Sequence, residues 1–469
     1  MACKKKLYKL DPQGTDQQAE VKVQNTKRQQ RTARITPRSN ERNVREQLAH
    51  KICGDYMGLW LLVPEYLRLG AWDFLQGLFD TNKNALAPQM GMQMVNESAL
   101  CLNRLRKKGS LCHQGFATVN GLSFLATDES IHELLTANRV ASYEQLQSSL
   151  LQMRYADGHY DDKGIVAIDP HRIPSASQRT MPKKKKKADQ PSVKMYQTFF
   201  CNDIHTGQPL GFVIGNSSKN TSRSTLQLMN ILERGGLSNS LILADKEHFS
   251  REIAEFFYHH PNLDILVPAP GTKRLTERLP HLDYRPLWAG YAIAESEFSF
   301  KGSSLTYRLI VQREGEQDNR YKYKAFITTS PEEARQLIAS VYAERWSIEE
   351  FFNFEGEMAW NRASTFNLNI RYGKQSLALL AQAAAYRFRQ NLPGPYKQWS
   401  AASLADQALA NMEGDIRVKD DSIIVTLYKD HERLNIEEKY SHMSTILENE
   451  GISPKIPWLF DYKLEFRFK

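Results

Sequence analysis

The sequence predicts an α/β fold with a helical N-terminal region and a β-rich insertion. Three observations carry this prediction. Between Gly164 and Pro268, short apolar runs, three of which end in an acid, alternate with helix-spaced segments. From about Leu48 to Arg154, apolar residues recur at intervals of three and four. From about residue 271 to 329 the pattern alternates instead, with Gly-rich and charged turns between the runs. At 469 residues, 41% hydrophobic and 10% aromatic, the chain has apolar material for a core and length for two to four domains. Its mean hydropathy of −0.53 argues against an integral membrane protein. The best apolar stretch, Leu377 to Tyr386, contains Gln382 and falls well short of the roughly 20 residues a spanning helix needs. No apolar run follows Met-Ala-Cys-Lys-Lys-Lys, so no secretory signal is expected.

Residues 1–46 read as a basic flexible arm. Twelve Lys or Arg stand there against five acids, which places +7 of the formal net charge of +9 on this stretch. Such an arm suits a phosphate backbone through counterion release, and it equally suits a solubilising tail. Residues 47–160 read as a helical DNA-binding region. Asp128 heads one predicted helix and Ser142 another, the second with a capping box closed by Gln145. A helix-turn-helix fits about residues 86–115, with Arg104, Arg106, Lys107 and Lys108 available for phosphate.

Three strands then follow: Gly164–Asp169, Met195–Asp203 and Leu210–Gly215. A helix over Ser222–Arg234 stops at Gly235-Gly236. Next come a strand Leu241–Asp245, a helix Ser250–His259 and a strand Asp264–Pro268. The order β-β-β-α-β-α-β is the ribonuclease-H-like arrangement, assigned to residues 161–270 plus 330–395. Residues 271–329 form the β-rich insertion. Ser330 with Pro331 and two acids reads as the start of a long helix running to about Met358. Another helix covers about Lys374 to Gln390, and residues 396–469 form a mixed α/β tail.

The five cysteines (Cys3, Cys53, Cys101, Cys112, Cys201) are widely spaced with no Cys-x-x-Cys pair. That pattern points to reduced thiols and a reducing compartment rather than a zinc ribbon or a disulfide framework. Lys183, Lys184, Lys185, Lys186 and Lys187 are consecutive and cannot pack in a core, so they form an exposed loop. Contact with nucleic acid and simple solvation both fit that loop.

Three acids stand out by position. Asp169 and Asp245 are each placed at a strand end, where an open α/β sheet presents side chains to its ligand crevice. Glu349 follows Tyr342 and Arg345 on one helix face at about 100° per residue. The plain alternative is an intrahelical Arg345–Glu349 pair at i,i+4, a weak surface interaction. Three carboxylates converging on one point repel unless cations lie between them. Two Mg²⁺ ions, with Mn²⁺ as substitute, suit such hard oxygen ligands and activate a water or 3′-hydroxyl at a scissile phosphate.

These residues resemble the DDE transposases of bacterial insertion sequences, in the group with a Tyr-x2-Arg-x3-Glu-x6-Lys signature. The signature here reads Tyr342, Arg345, Glu349, with Gly356 where the group has Lys. The middle block is Asp245-Lys-Glu-His-Phe249, without the usual Gly, and the first is Ile168-Asp169-Pro-His171-Arg172. The resemblance covers roughly residues 120–392. The spacing of 104 residues between Asp245 and Glu349 leaves room for the group's β insertion. It implies a transposase that binds transposon ends and catalyses two-metal phosphodiester hydrolysis and DNA strand transfer, cut-and-paste. The implied catalytic and metal ligands are Asp169, Asp245 and Glu349. Arg345 would contact phosphate and Tyr342 would position it. His171 and Arg172 would reach the scissile strand, although a surface or buried polar role suits His171 equally. Trp288 is expected either to stack on an extruded base or to sit in the core. Either Lys374, Arg371 or Arg362 would substitute for the missing Lys, or its role is absent. The implied partners are double-stranded DNA (terminal inverted repeats and target) and a second copy of the chain on that DNA, with no membrane. The implied location is the bacterial cytoplasm, at the nucleoid when DNA is bound. Two further readings stay open: a catalytically decayed or domesticated DNA-binding relative, and a metal-dependent nuclease without strand transfer.

Overall fold

The computed structural model describes residues 35–102, 114–175, 178, 180–183, 185, 191–216, 219–317, 320–358, 365, 367–428 and 431–469. Most of the basic arm, the four basic residues of the suggested helix-turn-helix, Cys3, Cys112, Arg362, Lys184, Lys186 and Lys187 lie outside the described residues. In chain order the strands are β1 (Ile52–Gly54), β2 (Ile165–Pro174), β3 (Met195–Asp203), β4 (Pro209–Asn216), β5 (Ser240–Ala244), β6 (Leu263–Ala269) and β7 (Arg285–Trp288). They continue with β8 (Tyr291–Phe298), β9 (Tyr307–Glu314), β10 (Lys322–Thr328), β11 (Gly414–Lys419), β12 (Ser422–Leu427), β13 (Lys455–Ile456) and β14 (Tyr462–Phe468).

The central sheet has the order β4-β3-β2-β5-β6-β10-β9-β8-β7. β2, β3 and β4 form an antiparallel meander, and β5 and β6 run parallel to β2. The helix Thr221–Arg234 connects β4 to β5, and Arg251–His259 connects β5 to β6. That is a ribonuclease-H-like core. Alternation along the strands divides its side chains between two faces. Val166, Ile168, Phe199 and Ile242 pack beneath the two connecting helices. Ala167, Phe200 and Phe212 face the opposite way, into the core shared with the helices Ser347–Glu355 and Leu368–Gln390. The insertion's strands do not stand apart. Ala325 to Thr328 of β10 pair antiparallel with Ala269 to Leu266 of β6, so the insertion extends the central sheet by four strands.

A second sheet, β1-β11-β12-β14-β13, joins the two ends of the chain. Ile52 pairs with Ile416, and one buried core runs from Val44 to Phe466. Glu65, 1% exposed, pairs with Arg68 of its own helix at 2.8 Å and with Arg387 of the helix Leu368–Gln390 at 3.3 Å, and the second pair ties this body to that helix. Among the described residues, no helix is long and apolar enough to cross a membrane.

Several local expectations are corrected. The arm does not stay irregular to residue 46: Thr36 caps a helix over Pro37–Ala49 that buries Asn40, Val44 and Leu48. Ser142 is no cap, because its helix begins at Val140 with Arg139 as N-cap. Ser330 starts no helix either. Its hydroxyl accepts from the Glu332 N–H in a turn, and the helix begins at Ala334. The long helix predicted to Met358 is three pieces: Ala334–Ala339, a 3₁₀ helix Val341–Trp346, and Ser347–Glu355. The last helix of the core begins earlier than predicted, at Leu368, capped by Asn367.

Candidate active site

Asp169 does not end its strand; β2 runs on to Pro174. What ends there is the parallel partner. β5 pairs with β2 only as far as Ile168 opposite Ala244. Asp169 and Asp245 are therefore the next residues on adjacent strands, with backbones about 5 Å apart. Asp245 opens a 3₁₀ turn over Lys246–His248. That turn is pinned by His248, 1% exposed, whose Nδ1 lies 2.9 Å from the Thr225 hydroxyl. Burial pushes the His248 imidazole down to about 4, so it is neutral at pH 7.

The broken helix brings the third acid to this edge. The Tyr342 hydroxyl donates to the Ala244 carbonyl at 3.2 Å, and its ring meets Phe326 edge-on at 4.8 Å. A 3₁₀ helix has three residues per turn, so Arg345 eclipses Tyr342 and points the same way. Its guanidinium lies between two acids, with Nη1 3.5 Å from Asp169 and Nη2 3.7 Å from Glu349. Both distances are ion-pair contacts rather than hydrogen bonds. Arg345 Nε and Nη1 are buried without a hydrogen-bond partner among the described residues. Burial pushes the Asp169 carboxyl up to about 7; Arg345 opposes this, and Asp245 and Glu349 add to it by repulsion.

Among the described residues, no group of three His, Cys, Asp or Glu side chains gathers closely enough to hold a metal ion as it stands. The donor set nevertheless fits a hard divalent cation. All three acids offer only oxygen, and all act electrostatically on one point, where Arg345 now supplies the positive charge.

The other predicted residues divide. His171 stacks on Phe352 with ring centroids 4.4 Å apart, on the same face of β2 as Asp169. Arg172 points to the other face; it is engaged by both Glu247 oxygens and, at 3.1 Å, by Gln197, so its fork is already filled. Lys183 and Lys185 are exposed beyond the end of β2. Trp288 is not a core residue. It is 48% exposed and stacks flat on Tyr291 at 4.2 Å in the β7–β8 hairpin. Gly356 is buried as the C-cap of Ser347–Glu355.

Two residues went unmarked in the sequence. Lys324 of β10 holds its ammonium 4.9 Å from the Tyr342 ring centroid. Burial and Arg345 lower its pKa, while Glu314 and Asp245 pull the other way. Only the β6–β10 pairing brings it to this edge. Trp346, beside Arg345, is 62% exposed. An indole next to the signature Arg was a visible signal, but the reading of one continuous helix assigned it no face.

Residues 160–381 match the family described as the Transposase DDE domain. No curated protein matches the sequence. Among solved structures, the chain is similar to a piggyBac transposase synaptic complex with hairpin DNA. Identity is 10% and the TM-score 0.40, over 88% of this chain and 86% of that one. A likeness that distant transfers neither fold nor function.

Proposed function

We propose, from the premise that residues 160–381 form a transposase DDE domain, that this protein binds transposon ends, cleaves phosphodiesters and joins the freed 3′-hydroxyls to target DNA. One observation carries the reading: the buried Arg345 guanidinium stands between Asp169 and Glu349 with two of its nitrogens lacking hydrogen-bond partners among the described residues. Its charge is shared with the two acids, but its unfilled N–H donors can take further acceptor oxygens, as a phosphate would offer them.

Asp169, Asp245 and Glu349 would hold two Mg²⁺ ions, or Mn²⁺ in their place. The chemistry supplied at that position when the metal is bound would be a lowered pKa for an attacking water or hydroxyl and stabilisation of the leaving oxygen. The side chains do the rest. Arg345 orients the scissile phosphate through its fork, and the Tyr342–Ala244 hydrogen bond fixes the turn that carries Arg345. Lys324 adds a cation on the same side, in place of the one missing at Gly356. Trp346 and the Trp288–Tyr291 pair offer open ring faces to unstacked bases. Lys183 to Lys187 hold backbone phosphates without reading sequence. The working form is a homodimer on DNA, because two ends must be joined, and its setting is a bacterial nucleoid.

The test mixes the purified chain, Mg²⁺ and a duplex carrying the element's terminal inverted repeats. Cleaved and joined products are expected, and omission of Mg²⁺ or addition of a chelator stops both. Cleavage without joined product would make the protein a nuclease. DNA that is bound and left intact would leave only the decayed-relative reading.

A further inference from the structure

Arg371 is a second buried cation, and nothing in the proposed chemistry uses it. It is 7% exposed and lies in the first turns of the helix Leu368–Gln390. Its guanidinium carbon sits 4.0 Å from the centroid of the Tyr196 ring. Among the described residues it makes no ion pair with a carboxylate, and the groups that act on its charge are Tyr196 and Tyr372. Burial lowers its pKa to about 10. The positive end of the helix dipole also disfavours a cation here. An arginine buried, opposed by a helix N-terminus and unanswered by any acid among the described residues is costly to keep unless an anion completes it.

The surroundings fix it in place and relate it to the active site. The Tyr372 hydroxyl accepts from the Ile214 N–H at 3.0 Å, anchoring the helix start to the end of β4. In the β2–β3 ladder, Asp169 opposes Phe200, His171 opposes Thr198 and Ile173 opposes Tyr196. Every second residue shares a face, so Asp169, His171 and Tyr196 form one row. Arg371 lies at the far end of that row, four residues or about 13 Å along the strand from Asp169. Beyond it the hairpin opens at Pro174 and Met195.

We propose that Arg371, seated on Tyr196 at the N-terminus of the helix Leu368–Gln390, binds a backbone phosphate of the DNA strand whose scissile bond lies at Asp169. The proposal rests on the transposase reading for the identity of the phosphate, but not for the existence of the anion site. A guanidinium fork takes two phosphate oxygens at once, and the helix dipole that opposes Arg371 alone favours the bound anion. Together the row and Arg371 make a track along the sheet, with the acids at one end and a fixed phosphate clamp at the other.

The test uses the full chain with Arg371→Met, which keeps the stem and removes the charge, and Arg371→Lys. Melting is followed with and without inorganic phosphate, and duplex DNA affinity is followed against salt concentration. Phosphate is expected to raise the melting temperature of the wild type and not that of Arg371→Met. The Met variant is expected to melt above the wild type in phosphate-free buffer, which a merely structural arginine would not allow. Its slope of log affinity on log salt is expected to be shallower by about 0.9, the loss of one phosphate contact. Should Arg371→Met not fold, Arg371→Lys, which lacks the two-pronged donor, is expected to show a weakened phosphate response. An unchanged response in that variant overturns the proposal. DNA bound with the same salt slope by wild type and Arg371→Met overturns it too, while leaving the transposase reading intact. A wild type that binds phosphate through Arg371 but binds no DNA sinks the transposase reading, and with it the assignment of this phosphate to a strand.

Discussion

Asp169→Asn is expected to abolish cleavage of end-bearing DNA, by on the order of ten-thousand-fold, while leaving DNA binding in place. The same change is expected to stabilise the metal-free protein at pH 8. Both effects have one cause. The Asp169 carboxyl is pushed up to about 7, by burial first and then by Asp245 and Glu349, despite Arg345 at 3.5 Å. An unfolded aspartate ionises near 4. Below about pH 4 the side chain is protonated in both states and contributes nothing unfavourable. Between about pH 4 and 7 the unfolded side chain ionises while the folded one keeps its proton, so stability falls as the pH rises. Asparagine has no proton to lose, so the gap in melting temperature between variant and wild type should widen from pH 5 to pH 8. Mg²⁺ should narrow it by stabilising the wild type alone. Melting curves at both pH values, with chelator and with Mg²⁺, give the comparison. A variant that still cuts, or that melts below the wild type at pH 8 in chelator, would remove Asp169 from the site.

How much of this was visible beforehand depends on how local each signal is. Asp169 and Asp245 each closed a short apolar run, and the strand order followed from runs a few residues apart. Arg345 and Glu349 were legible from an i,i+4 spacing. The break between Ala339 and Ser347 was not, because Ser330, Pro331 and two acids make a convincing helix start by themselves. The 3₁₀ segment is held by partners far away in sequence: Tyr342 reaches the Ala244 carbonyl 98 residues back. The face of Tyr342 and Arg345 survived because three residues make one 3₁₀ turn and nearly one α turn. Lys324 gains its meaning from a strand pairing that no local pattern encodes; Arg371, named only as one of three stand-ins for the missing Lys, gains its own from a helix seat. Arg172 shows a different limit of local reading. Beside Asp169 it looked available, but Glu247 from the Asp245 turn fills its fork.

The least legible part was the tail, and it carries the second large effect. Trp458→Ala is expected to cost about 3–5 kcal/mol, in the range for deleting a large buried aromatic. Trp458 is 1% exposed, its indole N–H donates to the Val119 carbonyl at 2.8 Å, and its ring lies 6.1 Å from Trp72. The backbone closes as tightly as the side chain. Gly121, at φ +70°, would place a Cβ 2.2 Å from the Trp458 carbonyl oxygen, so only glycine fits there. The tail is thus a wall of the N-terminal core, not an appendage to the central sheet. Losing the indole leaves a cavity and an unmet Val119 carbonyl inside that wall. Hydrogen exchange should therefore show protection lost together in β1, Gln114–Val119, β11 and β12, while β2, β5 and β6 stay protected. Trp458→Phe, which keeps most of the volume and drops the donor, should fall between the two. Exchange that rises only within residues 396–469 would mean that the tail folds by itself and that the shared core does not couple the two ends of the chain.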